Sequence, residues 1–185
     1  MLRKTTIDPR DTAIIHAIDP SYQPIQRYPG SFQVYRVVSN SDLYLVKFFR
    51  PRSGRCEDLL KREVEMLQAS KKLSGTPNLI DSGVLDEGVE YLVREFISGQ
   101  IVPDAGVQDS DLQRQLSQTV EWFHDAGIVD LDLNRKNVVL NFHERKAVMV
   151  DLDSCRLTTE LYPHSERYFN LDKNNLDLLF KPKQR

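Results

Sequence analysis

The chain has 185 residues, room for one domain or two small units but not for a third. At 40% hydrophobic, 28% charged and a net charge of -2, it has the balance of an ordinary globular protein. A disordered chain and a nucleic-acid coat are excluded, so no nucleic acid is expected as partner, and charge by itself names no other.

From Gly30 to Phe49 apolar and polar residues alternate around Val34, Val37, Leu43, Leu45 and Phe49, and the turn residues Ser39-Asn40-Ser41-Asp42 interrupt them. The pattern predicts a β-hairpin. After the break Pro51-Arg52-Ser53-Gly54, the helical spacing of Leu60, Val64 and Leu67, with Leu59, Glu63 and Met66 on the adjacent stripe, predicts a helix. Strands are expected from Leu79 to Val84 and from Val89 to Ile97, the second ending at Ser98-Gly99-Gln100, where a hinge divides residues 1–97 from 98–185. A second helix is predicted from about Ser110, with Leu112, Leu116, Val120 and Phe123 on one side and Gly127 at its end. Short strands at Val138–Leu140 and Ala147–Val150 flank a turn, Tyr168–Phe180 is expected to be helical, and Lys181 to Arg185 frays.

Cys56 and Cys155 are too few for a disulfide framework and lack partners at zinc spacing, so both are read as reduced thiols. The segment Met1 to Asp8 has no apolar signal core, and no stretch approaches the ~18 apolar residues of a membrane span. The expected location is cytoplasmic, with peripheral membrane contact left open.

On the strand Tyr44-Leu45-Val46-Lys47-Phe48-Phe49, the period of two puts Lys47 on the face of Leu45 and Phe49. Its ammonium then enters a partly apolar space and needs an anion. Glu63, beside the apolar stripe of the following helix, can turn inward to supply one.

The most specific segment is Phe123-His124-Asp125-Ala126-Gly127-Ile128-Val129-Asp130-Leu131-Asp132-Leu133-Asn134-Arg135-Lys136-Asn137-Val138-Val139-Leu140. It resembles the catalytic loop of the protein-kinase superfamily, with Asp132 and Asn137 at the family's Asp and Asn positions. Further on, Val148-Met149-Val150-Asp151-Leu152-Asp153 resembles the family's metal-binding Asp-Phe-Gly segment, and Tyr91-Leu92-Val93-Arg94-Glu95-Phe96-Ile97-Ser98-Gly99 resembles its hinge strand. The resemblance covers nearly the whole chain. It implies an α+β fold of two lobes, a small antiparallel-sheet lobe in residues 1–97 and a truncated helical lobe in 98–185.

It also implies an ATP- and Mg²⁺-dependent kinase acting on a hydroxyl-bearing substrate. Lys47, paired to Glu63, would serve the phosphates, and Asp132 would accept the hydrogen bond and then the proton of the acceptor hydroxyl. Asn137 and Asp151 would hold Mg²⁺. Gly30 would lie over the phosphates, and the backbone at Glu95 and Ile97 would meet adenine. Asp153 stays open between a second Mg²⁺ ligand and a turn cap, and His124, at a helix end, is read as structural.

Several positions depart from the family pattern. Pro29 to Tyr35 keeps Gly30 alone of the usual glycines, Arg94 stands where an uncharged residue controls the back of the base pocket, and Asp130-Leu131 replaces the His-Arg pair. The residues after Asp153 hold no Ala-Pro-Glu segment. The set Asp132-Leu133-Asn134 with Asn137, Asp151-Leu152-Asp153 with Arg156, and Asn175-Leu176-Asp177-Leu178-Leu179 is similar to bacterial lipopolysaccharide core (Kdo/heptose) kinases and to minimal atypical serine/threonine kinases. The expected acceptor is accordingly a core sugar, with a protein hydroxyl or a pseudokinase binding role as the alternatives.

Overall fold

The computed structural model describes residues 7–29, 32–49, 57–71 and 73–183. Gly30 and Cys56 lie outside them. The chain forms two compact units, one of Met1–Val64 with Asn78–Phe96, the other of Glu65–Pro77 with Ile97–Arg185. Among the described residues no helix is long and apolar enough to cross a membrane.

In the first unit, helix α1 (Pro9–Ile18) starts where Asp8 accepts from the Arg10 N–H at 2.8 Å and Pro9 supplies a preset φ at the first helical position. Strands β1 (Gln23–Tyr28), β2 (Gln33–Ser39) and β3 (Asp42–Phe49) follow as an antiparallel meander. The turn between β2 and β3 is only Asn40-Ser41, both at positive φ (51° and 74°), with Ser39 paired to Asp42. That left-handed pair matches the twist of a two-residue hairpin, and asparagine accepts it with little strain.

Helix α2 (Glu57–Ala69) precedes β4 (Leu79–Val84) and β5 (Glu90–Glu95), and the sheet order is β1-β2-β3-β5-β4. Its two faces are covered differently. Ile15 of α1 packs with Tyr35, Val37, Val46, Phe48 and Val93 on one face. Leu60 of α2 packs with Phe32 and Leu92 on the other. Coverage from both sides makes Leu45, Val46, Lys47 and Phe48 a buried run instead of an alternating one.

Helix α1 and strand β1 are additions to what the spacing predicts, and α1 is latched to the sheet by a buried hydrogen bond from the Tyr35 hydroxyl to Asp11 Oδ2. Burial, then the Asp11 hydrogen bond, pushes the Tyr35 phenol well above its ordinary 10.0. A raised folded-state value means that this stabilisation is complete below the ordinary tyrosine range and is lost as pH climbs toward the folded value. Tyr35→Phe is therefore expected to cost roughly 1–3 kcal/mol at neutral pH. Urea titrations from about pH 9 to 12 check it, the parent losing stability more steeply than the variant.

In the second unit, β6 (Gln100–Ile101), β8 (Val138–Asn141) and β9 (Lys146–Met149) form a three-stranded sheet, and β7 (Ile128–Val129) pairs with β10 (Arg156–Leu157). Helix α3 (Ser110–Asp125) packs on β9, β7 and α4 (Ser165–Phe180). Asp109 caps α3 by accepting from the N–H groups of Asp111 and Leu112, and the helix ends before Gly127, whose φ of 72° is the left-handed C-terminal stop. The predicted stripe Leu112, Leu116, Val120 and Phe123 is fully buried. Helix α4 starts at Ser165, a little before the predicted Tyr168, and β5 stops at Glu95, short of the predicted Ile97.

Candidate active site

In the first unit the structure brings Lys47 and Glu63 together. Lys47 Nζ donates to Glu63 Oε2 at 2.6 Å, with 5% and 1% of the two residues exposed. The ammonium also sits 4.3 Å from the Phe32 ring centroid, where the negative face of the ring adds a cation–π attraction. Lys47 faces Leu92 in the β3–β5 register, and Glu63 projects from the turn of α2 that follows Leu60, so two secondary-structure periods converge on one ion pair.

Glu95 closes β5. Its N–H donates to Asn78 O at 2.9 Å, its side chain accepts from Asn78 Nδ2 at 2.9 Å, and its carbonyl accepts from Arg94 Nη1 at 3.3 Å. A carbonyl has two lone pairs, so that oxygen retains capacity for another donor. Ile97, half-buried, belongs to the second unit.

In the second unit Asp132 and Asn137 form one constellation. Asn137 Nδ2 donates to Asp132 Oδ2 at 2.8 Å and to the Asp132 carbonyl at 3.2 Å, which points the amide oxygen of Asn137 the other way. Asn134 ties the intervening turn, its Oδ1 accepting from the N–H groups of Lys136 (2.9 Å) and Asn137 (3.3 Å). The Val150 N–H donates to Asn137 O at 2.9 Å, next to the Val138–Met149 pair of the β8–β9 ladder. Asp151 thus emerges beside Asn137, from a strand end that fixes its backbone. One of its carboxylate oxygens lies within 4.8 Å of one of Asp153. Two carboxylates and an outward amide oxygen are hard oxygen donors, a set that fits Mg²⁺.

The loop carrying Asp132 is strained, since Asp130 (φ 62°) and Asp132 (φ 43°) are both left-handed. It is held by Asp172 of α4, 1% exposed, which sequence reading missed. Asp172 Oδ1 accepts from the Leu131 N–H at 2.9 Å, and Oδ2 accepts from the Asp130 N–H at 3.1 Å. Oδ2 also lies 3.1 Å from His124 Nε2, and the imidazole packs edge-on against Phe169. Arg156 adds an ion pair to Asp130 at 3.4 Å. The signal was present: Asp172 falls on the buried stripe of Leu176 and Leu179, and a carboxylate there requires partners.

A five-stranded antiparallel sheet backed by α2, followed by the Asp132 loop and the β8–β9 hairpin, is a protein-kinase-like α+β fold. Among solved structures the chain is similar to the Cydia pomonella granulovirus kinase PK-1, with a TM-score of 0.61 at 13% sequence identity. The match covers 81% of this chain and 60% of that one, so the chain spans less than two thirds of the viral kinase. No protein-family model and no curated protein sequence matches the chain.

Proposed function

We propose that the chain is an ATP- and Mg²⁺-dependent phosphotransferase that delivers the terminal phosphate to a hydroxyl, with a lipopolysaccharide core sugar as acceptor. The observation that carries this reading is the buried Lys47–Glu63 ion pair on the sheet of a kinase-like fold. A lysine so placed would be held ready for phosphate, with Glu63 orienting it.

The two units would serve as the two lobes, following the expected division into 1–97 and 98–185 except that Glu65–Pro77 and Ile97 belong to the second unit, and Gly30 would lie over the phosphates. The Glu95 carbonyl would accept from the exocyclic amine of adenine, and the Ile97 N–H would donate to a ring nitrogen. Asn137 and Asp151 would hold Mg²⁺, which when bound neutralises charge on the phosphates. Asp132, exposed and steadied by Asn137, would accept the hydrogen bond of the acceptor hydroxyl and take its proton. The sugar preference is supported by the resemblance of the Asp132–Asn137 and Asp151–Arg156 segments to core-sugar kinases. The second reading is a minimal serine/threonine kinase, which the same segments also resemble.

Asp132→Asn is expected to lower phosphate transfer by about 10²–10⁴-fold while leaving Mg-ATP thermal stabilisation nearly intact. Radiolabel transfer to core glycolipid, to a serine/threonine peptide library and to the chain itself separates the acceptors. Label confined to peptide or to the chain overturns the sugar assignment. ATP binding with no Asp132-dependent label anywhere makes the protein a pseudokinase.

A further inference from the structure

The face of the first sheet that meets α2 carries a second cation. Leu92 stands opposite Lys47 and Arg94 opposite Leu45 in the β3–β5 register, so the period of two puts Arg94 on the same face as Lys47. Arg94 is 6% exposed, and its Nε lies 3.6 Å from Glu63 Oε1, while Lys47 holds Oε2 at 2.6 Å. At its other end, Nη1 donates to the Glu95 carbonyl. The two oxygens of one carboxylate are thus divided between cations from adjacent strands. A buried guanidinium stays charged and is costly to desolvate, whereas an apolar residue would fill the same space more cheaply.

We propose that Arg94 is a positioning residue that holds Glu63 from its second oxygen and keeps the Lys47–Glu63 pair assembled without nucleotide. Glu63 reaches the sheet through a side chain with several free torsions, and one tether leaves it room to rotate, whereas two tethers from neighbouring strands fix it. Arg94 is itself oriented, because the Glu95 carbonyl holds the far side of its planar fork. Helix α2 is thereby clamped to β3 and β5, and the pair is permanently formed instead of being switched by movement of α2. The catalytic consequence rests on the phosphotransferase reading; the clamp does not.

The test uses the full chain in five forms, the parent, R94M, R94K, E63Q and E63Q/R94M, with two readouts. The first is amide hydrogen exchange across α2, and the second is kcat/KM for Mg-ATP measured as phosphate transfer. R94M is expected to speed α2 exchange and to lower kcat/KM, each by about tenfold, with R94K recovering part of both. In the E63Q background, adding R94M is expected to change either readout by no more than about twofold, because the action of Arg94 runs through Glu63. R94Q replaces R94M if the latter does not fold, with the same expectation. Parent-like exchange in the neutral variants, or an undiminished effect of R94M on top of E63Q, overturns the proposal. A parent that transfers no phosphate overturns the phosphotransferase reading, and the exchange results then still decide the clamp.

Discussion

Asp172→Ala is expected to destabilise the protein by about 3–5 kcal/mol, among the largest single-residue effects in the chain. The carboxylate is buried and accepts from two consecutive backbone N–H groups, Asp130 and Leu131, while it pairs with His124. Alanine would leave the buried Leu131 N–H and the part-buried Asp130 N–H without their acceptor and would release a loop held in two left-handed conformations. Asp172→Asn keeps one acceptor oxygen and is expected to lose roughly half as much. Urea denaturation at neutral pH measures both, and near-parental stability of Asp172→Ala would mean that the loop is held by something else. On the proposed phosphotransferase function, phosphate transfer should fall further than stability explains, because Asp132 rides on that loop.

The second large effect concerns the buried charges of the first unit. Glu63→Ala removes a carboxylate shared by Lys47 and Arg94, and Lys47→Ala removes one of its cations, so each is expected to cost about 3–5 kcal/mol, the glutamate more. If the phosphotransferase proposal holds, both should cripple phosphate transfer. The double variant should lose clearly less than the sum, since a shared ion pair is broken only once. Full additivity in unfolding free energy and in kcat/KM would show that the two side chains act independently.

The geometry that joins Lys47 to Glu63 and Asp132 to Asn137 was legible because it depends on local periods. The alternation along Tyr44 to Phe49 put Lys47 on an inward face, and the stripe of α2 put Glu63 within reach, with no knowledge of what lay between them. The spacing from Asp132 to Asn137, and the strand running into Asp151, were legible for the same reason: a turn and a hairpin decide them. What escaped is non-local. Asp172 bonds to Asp130 and Leu131 across 42 and 41 residues, and no period links α4 to that loop. Arg94 read as a departure from a family pattern, because its reason for being there, Glu63, sits on another element.

The first helix and strand escaped for a different cause. In α1, His16 interrupts the apolar run Ile14, Ile15 and Ile18, and in β1 Pro24 and Gln26 take the half-buried positions while Ile25 is exposed, so no apolar–polar alternation shows in its sequence. The Asp8-Pro9 start signal was the readable clue.

That helix has a practical consequence for anyone cutting the gene. A fragment trimmed to the recognisable motifs, beginning near the hairpin, would strip the cover from Tyr35, Val37, Val46 and Phe48. Such a piece would present an oily sheet to water and tend to clump on expression, although it kept Lys47, Glu63, Asp132, Asn137 and Asp151. The shortest workable fragment is therefore bounded by helix α1, and any library of N-terminal deletions should lose soluble yield once it passes Asp8.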